Sequence, residues 1–313
     1  MYEELLKDAY DLHVHTGPDV LPRKLDDFEM AARLQRLGMK GYGIKSHYFC
    51  TAERAALVNR QFPGFQAVGA ICLNNTVGGL NAVAVEMAAR DGAKIVWMPT
   101  FDAANEQEHF INSPPAKLPH WAKLRLEFEA QGKALPTIRI LDENHRLKKE
   151  VYDCLEVMAK YDLILATGHV GKQEIYELVK EARAVGVRKI VITHPNFPSI
   201  ALSKEEQKEL AEMGAIMEHC FTTPASGKTT WESVFAEIRY VGPEHCILST
   251  DLGQPSNVYP MRASRVCSST DRAGWFCTGR SQTNDCHQYS HSRGRSRFES
   301  VSATGYRKRI SVR

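Results

Sequence analysis

From residue 10 to residue 253, short apolar runs alternate with stretches whose apolar positions recur at helical spacing. The apolar runs are Tyr10–Thr16, Tyr42–Tyr48, Gln66–Leu73, Lys94–Thr100, Leu163–Val170, Lys189–His194, Ala215–Phe221 and Cys246–Asp251. Several are rich in β-branched residues, as in Lys189-Ile190-Val191-Ile192-Thr193, and continuous apolar runs of this length read as strands buried on both faces. Between them, Asp26–Leu37, Gly78–Arg90, Gln173–Val185 and Lys204–Met213 read as amphipathic helices. Gly38, Gly92, Gly186 and Gly214 follow them where a helix ends in a left-handed residue. Eight strands in β-then-α order predict an α/β protein, a (β/α)8 TIM-like barrel, with a doubly wound open sheet as the structural alternative.

Two segments break this rhythm. Residues 101–150 hold no clear barrel strand and read as an insertion after strand four, on the face where barrel enzymes carry substrate loops. Within it, Ile138–Leu147 has the pattern of a small hairpin turning at Glu143-Asn144-His145. Residues 256–313 are rich in Ser, Thr and Arg and show no periodicity, so the barrel is assigned to residues 1–255. After its last strand a barrel needs a helix with an apolar stripe, and Arg262–Thr270 supplies none. This tail has either the composition of a disordered basic extension or that produced by reading a coding sequence out of frame from about residue 260.

Charge follows the same division. The chain carries 40 Lys+Arg against 37 Asp+Glu, but residues 256–313 hold 11 of the basic and 3 of the acidic side chains. Residues 1–255 are therefore acidic, and the charge argument for a nucleic-acid partner would rest on the tail alone. No apolar run reaches the length of a membrane span, and Met1–Leu5 does not open a signal peptide. The eight cysteines match no zinc-finger or secreted-miniprotein spacing and read as reduced thiols. The expectation is a soluble cytoplasmic protein with a small-molecule substrate, no nucleic-acid or membrane partner, and homo-oligomerisation left open.

The chemistry lies at the strand ends. His13 and His15 in Asp11-Leu12-His13-Val14-His15-Thr16 are two residues apart, which turns both to one side of a strand. His169 and His194 each stand where an apolar strand gives way to a loop, and Asp251 stands at the same point of the last strand. A carboxylate at such a place is costly unless paired or bound to a metal. Neutral imidazoles with a carboxylate suit Zn²⁺ best, with Mn²⁺ or Fe²⁺ also served. Ala225-Ser226-Gly227-Lys228-Thr229 has the look of a phosphate-binding loop, but Thr222 stands where that motif needs a glycine.

This constellation resembles the amidohydrolase superfamily, in which HxH on strand one, His on strands five and six and Asp on strand eight surround one or two divalent cations. Its opening also resembles the PHP phosphoesterases. Within the superfamily the chain is most similar to an uncharacterised amidohydrolase-like family with HTGPD, KSH, GH, THP and a terminal SD or TD, here His15–Asp19, Lys45–His47, Gly168-His169, Thr193–Pro195 and Thr250-Asp251. The resemblance implies a metal-dependent hydrolase of amides, esters or lactones. In it His13, His15, His169, His194 and Asp251 bind metal, Asp251 acts as general base, and His194 assists catalysis as a second-metal ligand or oxyanion stabiliser. A phosphoesterase, and a metal-binding barrel without turnover, are the alternatives. Strand four lacks the Lys or Glu that bridges two metals in many superfamily members. Lys45, His47, Asp102 and Glu218 are the additional residues expected to contact substrate or support the ligands, and Arg23, Lys45 and Lys228 are the cations available to an anionic group.

Overall fold

The computed structural model describes residues 6–110, 120–133 and 135–260. The tail from residue 261, on which the expectations of no final helix and of an out-of-frame reading fall, lies outside the described residues. The strands are β1 (Tyr10–Val14), β2 (Gly41–Ile44), β3 (Gln66–Val68), β4 (Ala70–Cys72), β5 (Ile95–Trp97), β6 (Ile164–Ala166), β7 (Lys189–Thr193), β8 (Ile216–Cys220) and β9 (Cys246–Ser249). The helices are α1 (Asp27–Arg36), α2 (Ala52–Gln61), α3 (Ala82–Arg90), α4 (Ala104–Phe110), α5 (His120–Ala130), α6 (Lys149–Lys160), α7 (Lys172–Val185), α8 (Lys204–Glu212), α9 (Thr222–Ala225) and α10 (Trp231–Val241).

All strand pairs are parallel, β1 to β2 to β3 and β4 through β9 in order. β3 and β4 are two halves of the single run Gln66–Leu73, interrupted at Gly69. A Cβ there would lie 2.5 Å from Ala52 Cα, so glycine admits the start of α2 against the strand. Counting the two halves as one gives the eight expected staves. The last meets the first: Asp251 N–H donates to His13 O at 2.8 Å, His15 N–H donates to Leu252 O at 2.8 Å, and Val14 pairs with Leu252 in parallel. Asp11, 3% exposed, reinforces this seam by accepting from Thr250 N at 3.1 Å and Thr250 Oγ1 at 2.6 Å.

Strand alternation explains why the runs read as continuously apolar. Ile95 and Trp97, Ile164 and Ala166, and Val191 and Ile247 form one buried cluster inside the ring of strands. Val96, Leu165, Ile190 and Ile192 face the other way, into a larger core with Leu155, Leu178 and Leu210 from the helices. Both faces are dry, so both parities must be apolar. Local chemistry sets the helix ends. Asp26 and Ser203 cap α1 and α8 in reciprocal boxes with Glu29 and Glu206. Gly38, Gly92, Gly186 and Gly214 all have positive φ, as expected.

The expected helix Gly78–Arg90 is shorter than its pattern. Gly78 and Gly79 have φ of 86° and 69°, outside helical space, so a 3-10 turn at Asn75–Val77 precedes α3. Asn81 then caps α3 by accepting from Ala84 N. Between β5 and β6, the described part of residues 101–150 carries α4, α5 and the hairpin, where Leu141 pairs antiparallel with Leu147. Asp142 builds that turn by accepting from Asn144 N and Arg146 N.

Two tests follow from this packing. Asp11→Ala would leave the Thr250 hydroxyl and amide unpaired at the β1–β9 seam, and we expect about 2–4 kcal/mol of lost stability in urea unfolding. A loss below about 0.5 kcal/mol would mean the seam does not need this carboxylate. The second concerns His219, 2% exposed on the outer face of β8, with neither ring nitrogen hydrogen-bonded. Burial pushes its pKa down to about 4, against a small opposing pull from Glu218. Between pH 6.5 and 4 the unfolded chain takes up a proton that the folded one refuses. The titration of His219 therefore contributes nothing above pH 6.5 and progressively destabilises the fold on acidification, by about 3 kcal/mol at the lower end. His219→Phe should flatten the pH dependence of Tm in the metal-free protein over that window. Parallel profiles for the two proteins would refute this account.

Candidate functional site

The C-terminal ends of β1, β6, β7 and β9 bring His13, His15, His169, His194 and Asp251 to one mouth. β1 does this with a register shift between Asp11 and Val14, an irregularity of the kind that re-aims side chains near functional sites. His13 Nε2 and His15 Nε2 lie 3.1 Å and 3.2 Å from the same atom, Asp251 Oδ1. The other carboxylate oxygen, Oδ2, accepts from Thr222 Oγ1 at 3.1 Å. His169 Nε2 and His194 Nε2 lie 3.2 Å apart. The ring centroids of His13 and His194 are 6.1 Å apart, which joins the two pairs into one cluster.

The backbone is strained where it presents these groups. His194 has φ 29° and Asp251 φ 51°, conformations that L-residues adopt rarely. Gly168, before His169, has φ 62°, and a Cβ there would stand 2.4 Å from Met98 O. The glycine thus lets the chain turn His169 inward across the end of β5.

Four further residues named from the sequence divide into two groups. Lys45 and Glu218 both reach His13: Lys45 Nζ is 2.8 Å from Nε2, and Glu218 Oε2 is 3.1 Å from Nδ1. His47 is beside the cluster, its ring 4.9 Å from His15 and its Nδ1 2.9 Å from Thr100 Oγ1. Asp102 is elsewhere. It accepts from Asn75 N at 2.9 Å and Arg125 Nη1 at 3.2 Å, so it ties the segment after β5 to the loop after β4.

Sequence reading missed Glu106 and Cys220. Glu106, on α4 and 1% exposed, lies 3.4 Å from His169 Nδ1 and accepts from Ser199 Oγ at 2.5 Å. Asn105 beside it donates to the carbonyls of His169 and Ser199. The segment after β5 therefore contributes to the mouth through α4. Glu106 sits in a polar stretch, Ala104–Phe110, with nothing in its spacing to single it out. Cys220 Sγ is 3.7 Å from His13 Nδ1, and strand alternation from Glu218 was the available signal.

Electrostatics make the cluster ready for a cation. Burial, followed by Arg23, pushes His15 down to about 3. Burial, then the neighbouring His169, holds His194 well below the usual imidazole range, and burial with Lys45 does the same to His47. These rings are neutral and present lone pairs. Burial alone would raise the Asp251 pKa, but the charge of His13 and the imidazole hydrogen bonds outweigh it and hold the carboxylate ionised. Two nitrogens facing each other across 3.2 Å share one proton, so one ring donates to the other, and the pair can turn both Nε2 lone pairs to a cation only by giving that proton up. His15 Nδ1 and His194 Nδ1 are buried without hydrogen-bond partners. His13, His15 and Asp251 converge tightly enough to hold an ion, as do His13, Glu218 and Cys220. The donor set fits a divalent metal.

Solved structures share this architecture. An amidohydrolase from Pseudomonas aeruginosa superposes with a TM-score of 0.53 at 10% identity, covering 82% of this chain and 77% of that one. The probable dipeptidase PvdM from Pseudomonas aeruginosa gives 0.53 at 11% identity, covering 88% and 92%. The organophosphorus hydrolase from Deinococcus radiodurans gives 0.52 at 10%, covering 88% and 89%. At such identities the likeness is one of fold. No curated protein matches the chain in sequence. Residues 8–218, more than half of the chain, match the model of a family of unknown function, DUF6282, and the chain belongs to that family.

Proposed function

We propose that the protein is a metal-dependent hydrolase that cleaves an amide, ester or lactone bond in a small molecule. The observation that carries this reading is the meeting of His13 Nε2 and His15 Nε2 on one oxygen of Asp251, at 3.1 Å and 3.2 Å, beside the His169–His194 pair. The solved structures of like fold support it as an analogy, since those three are named as hydrolases. The motif order from His15-Thr16-Gly17-Pro18-Asp19 to Thr250-Asp251 supports the likeness to amidohydrolase-like proteins.

His13, His15, His169, His194 and Asp251 would hold the metal, zinc first by donor chemistry. A divalent cation bound there supplies Lewis acidity and lowers the pKa of water toward about 7. Glu218 at His13 Nδ1 fixes which nitrogen of that ring turns inward, the role carboxylates have behind metal-binding histidines, and Glu106 stands 3.4 Å behind His169 Nδ1 as a negative charge. Asp251 is the general base. Its Oδ1 faces the imidazoles of His13 and His15, and Oδ2, which accepts one hydrogen bond from Thr222 Oγ1, keeps a second lone pair that would take a proton from the attacking water and pass it to the leaving group. His194 is positioned to stabilise the oxygen that gains charge as the carbonyl is attacked. Trp97, 5.5 Å from His13, closes the floor of the mouth.

Elemental analysis of the purified protein should find a divalent transition metal, and the His13→Ala/His15→Ala double variant should lose it. Unchanged metal content in a folded double variant would falsify the site. With a substrate from a panel of lactones, esters and amides, Asp251→Asn should lower kcat by about 10²–10⁴-fold, because an amide cannot accept the proton. Circular dichroism should remain native-like. A wild-type rate in that variant would remove Asp251 from the role of base.

A further inference from the structure

We infer that the substrate of this site carries a carboxylate, bound by the ammonium of Lys228 at the rim of the mouth. The inference rests on the hydrolase reading above and adds the substrate class. Three cations were available from the sequence, and the fold uses two of them internally. Arg23, with its side chain 5% exposed, is closed onto Asp19 at 2.6 Å, and Asp19 also accepts from Ser46 Oγ. Lys45 is 1% exposed and directed at His13 Nε2. Lys228 has no carboxylate within ion-pair distance among the described residues.

Its place is set by the turn after α9. Ser226 Oγ donates to Thr222 O, Gly227 takes φ 73°, and Lys228 N–H donates back to Thr223 O. The turn belongs to the loop after β8, yet it carries the Lys228 ammonium across to the loop after β7, 4.0 Å above the Phe197 ring. Phe197 is the wall of the imidazole pair. Its ring lies 4.7 Å from that of His194 and 6.0 Å from that of His169, and its N–H donates to His194 O at 2.8 Å. Although Lys228 as a residue is exposed, loss of water around its ammonium lowers its pKa, while Asp251 and Glu106 pull the other way. The ammonium therefore faces the mouth at short range, with an aromatic ring beneath it and no anion bound to it by the fold.

A single lysine is a compact point charge that suits a monoanion. Dianionic phosphoryl groups are ordinarily held by several donors, arginine forks among them. Asp251 and Glu106 would repel a dianion more strongly than a carboxylate. The 4.0 Å and 4.7 Å ring distances also limit the reach from Lys228 to His194, so only a few methylene groups can separate the carboxylate from the bond that is cleaved.

The test uses zinc-loaded full-length protein and matched hydroxamates, which bind a metal through the same two-oxygen head in every probe. Acetohydroxamate has no second group. Succinate and glutarate monohydroxamates add a carboxylate, their methyl esters remove its charge, and a phosphonate analogue replaces it with a dianion. Calorimetry should show the carboxylate forms binding about tenfold or more tighter than their esters. Lys228→Met should erase that preference while leaving acetohydroxamate affinity unchanged, and Lys228→Arg should keep most of it. Equal affinity of acid and ester for the wild type, or a preference that survives in Lys228→Met, overturns the inference and leaves the metal reading intact. Tighter binding of the phosphonate than of the carboxylates overturns it in favour of a phosphoryl substrate. Failure of every hydroxamate to bind overturns the metal reading and this inference together.

Discussion

The hydrogen bonds that join β1 to β9 hold the rest of the structure in place. They bring residues 11–15 beside residues 250–252, nearly the whole length of the described chain apart in sequence. Thr250 is pinned to the Asp11 carboxylate, Asp251 N–H to His13 O, and His15 N–H to Leu252 O. Ladder bonds fix backbone groups to within tenths of an ångström. The side chains of His13, His15 and Asp251 therefore inherit their meeting point from the closure itself. Gly253 belongs to the same seam: a Cβ there would stand 1.7 Å from His15 O, so the chain leaving β9 can pass only as glycine. Without closure, the histidines of the first strand would have no carboxylate partner.

Closure concentrates polar groups in a place that excludes water, and the electrostatics follow. Neutral imidazoles crowded together have little to gain from one another, and at His15, His47 and His194 desolvation removes the option of protonation. The fold answers by standing carboxylates behind the rings, Glu218 behind His13 and Glu106 behind His169. Lys45 lies against His13 Nε2 and the Trp97 ring, where it balances the acidic residues of the mouth. Such a network is costly to bury unless a ligand completes it, and several of its nitrogens have no protein partner. The strained φ values at His194 and Asp251 point the same way, since backbone strain persists only where its surroundings impose it.

The rim and the floor of the mouth are built differently. The floor is made of strands, whose positions are fixed by the ladder on both sides. The rim is made of loops after β5, β7 and β8, held by side chains: Asn105 and Ser199 around Glu106, Asn196 onto Glu237 of α10, and Lys228 over Phe197. A scaffold of this kind lets loops vary the ligand that enters while the strands keep the chemistry constant.

Much of this was legible in the chain because it is local. The eight strand runs and the four glycines after helices depend on residues within one turn or one strand of each other. The ligand-type residues were legible because each ends an apolar run. The helix predicted from Gly78 starts at Ala82 because paired glycines outweigh apolar periodicity over one turn. What only the tertiary structure decided is pairing across the barrel. Asp102, at a strand end like the others, turns to Asn75 and Arg125, whereas Glu106, in a polar helix, turns to His169. Arg23 and Lys228 are both plain cations in the sequence, and only the fold closes one onto Asp19 and leaves the other over Phe197. Sequence determines which face a side chain takes through a period of two or 3.6 residues. The identity of its partner depends on register and closure between segments far apart in the chain, and no local period encodes that.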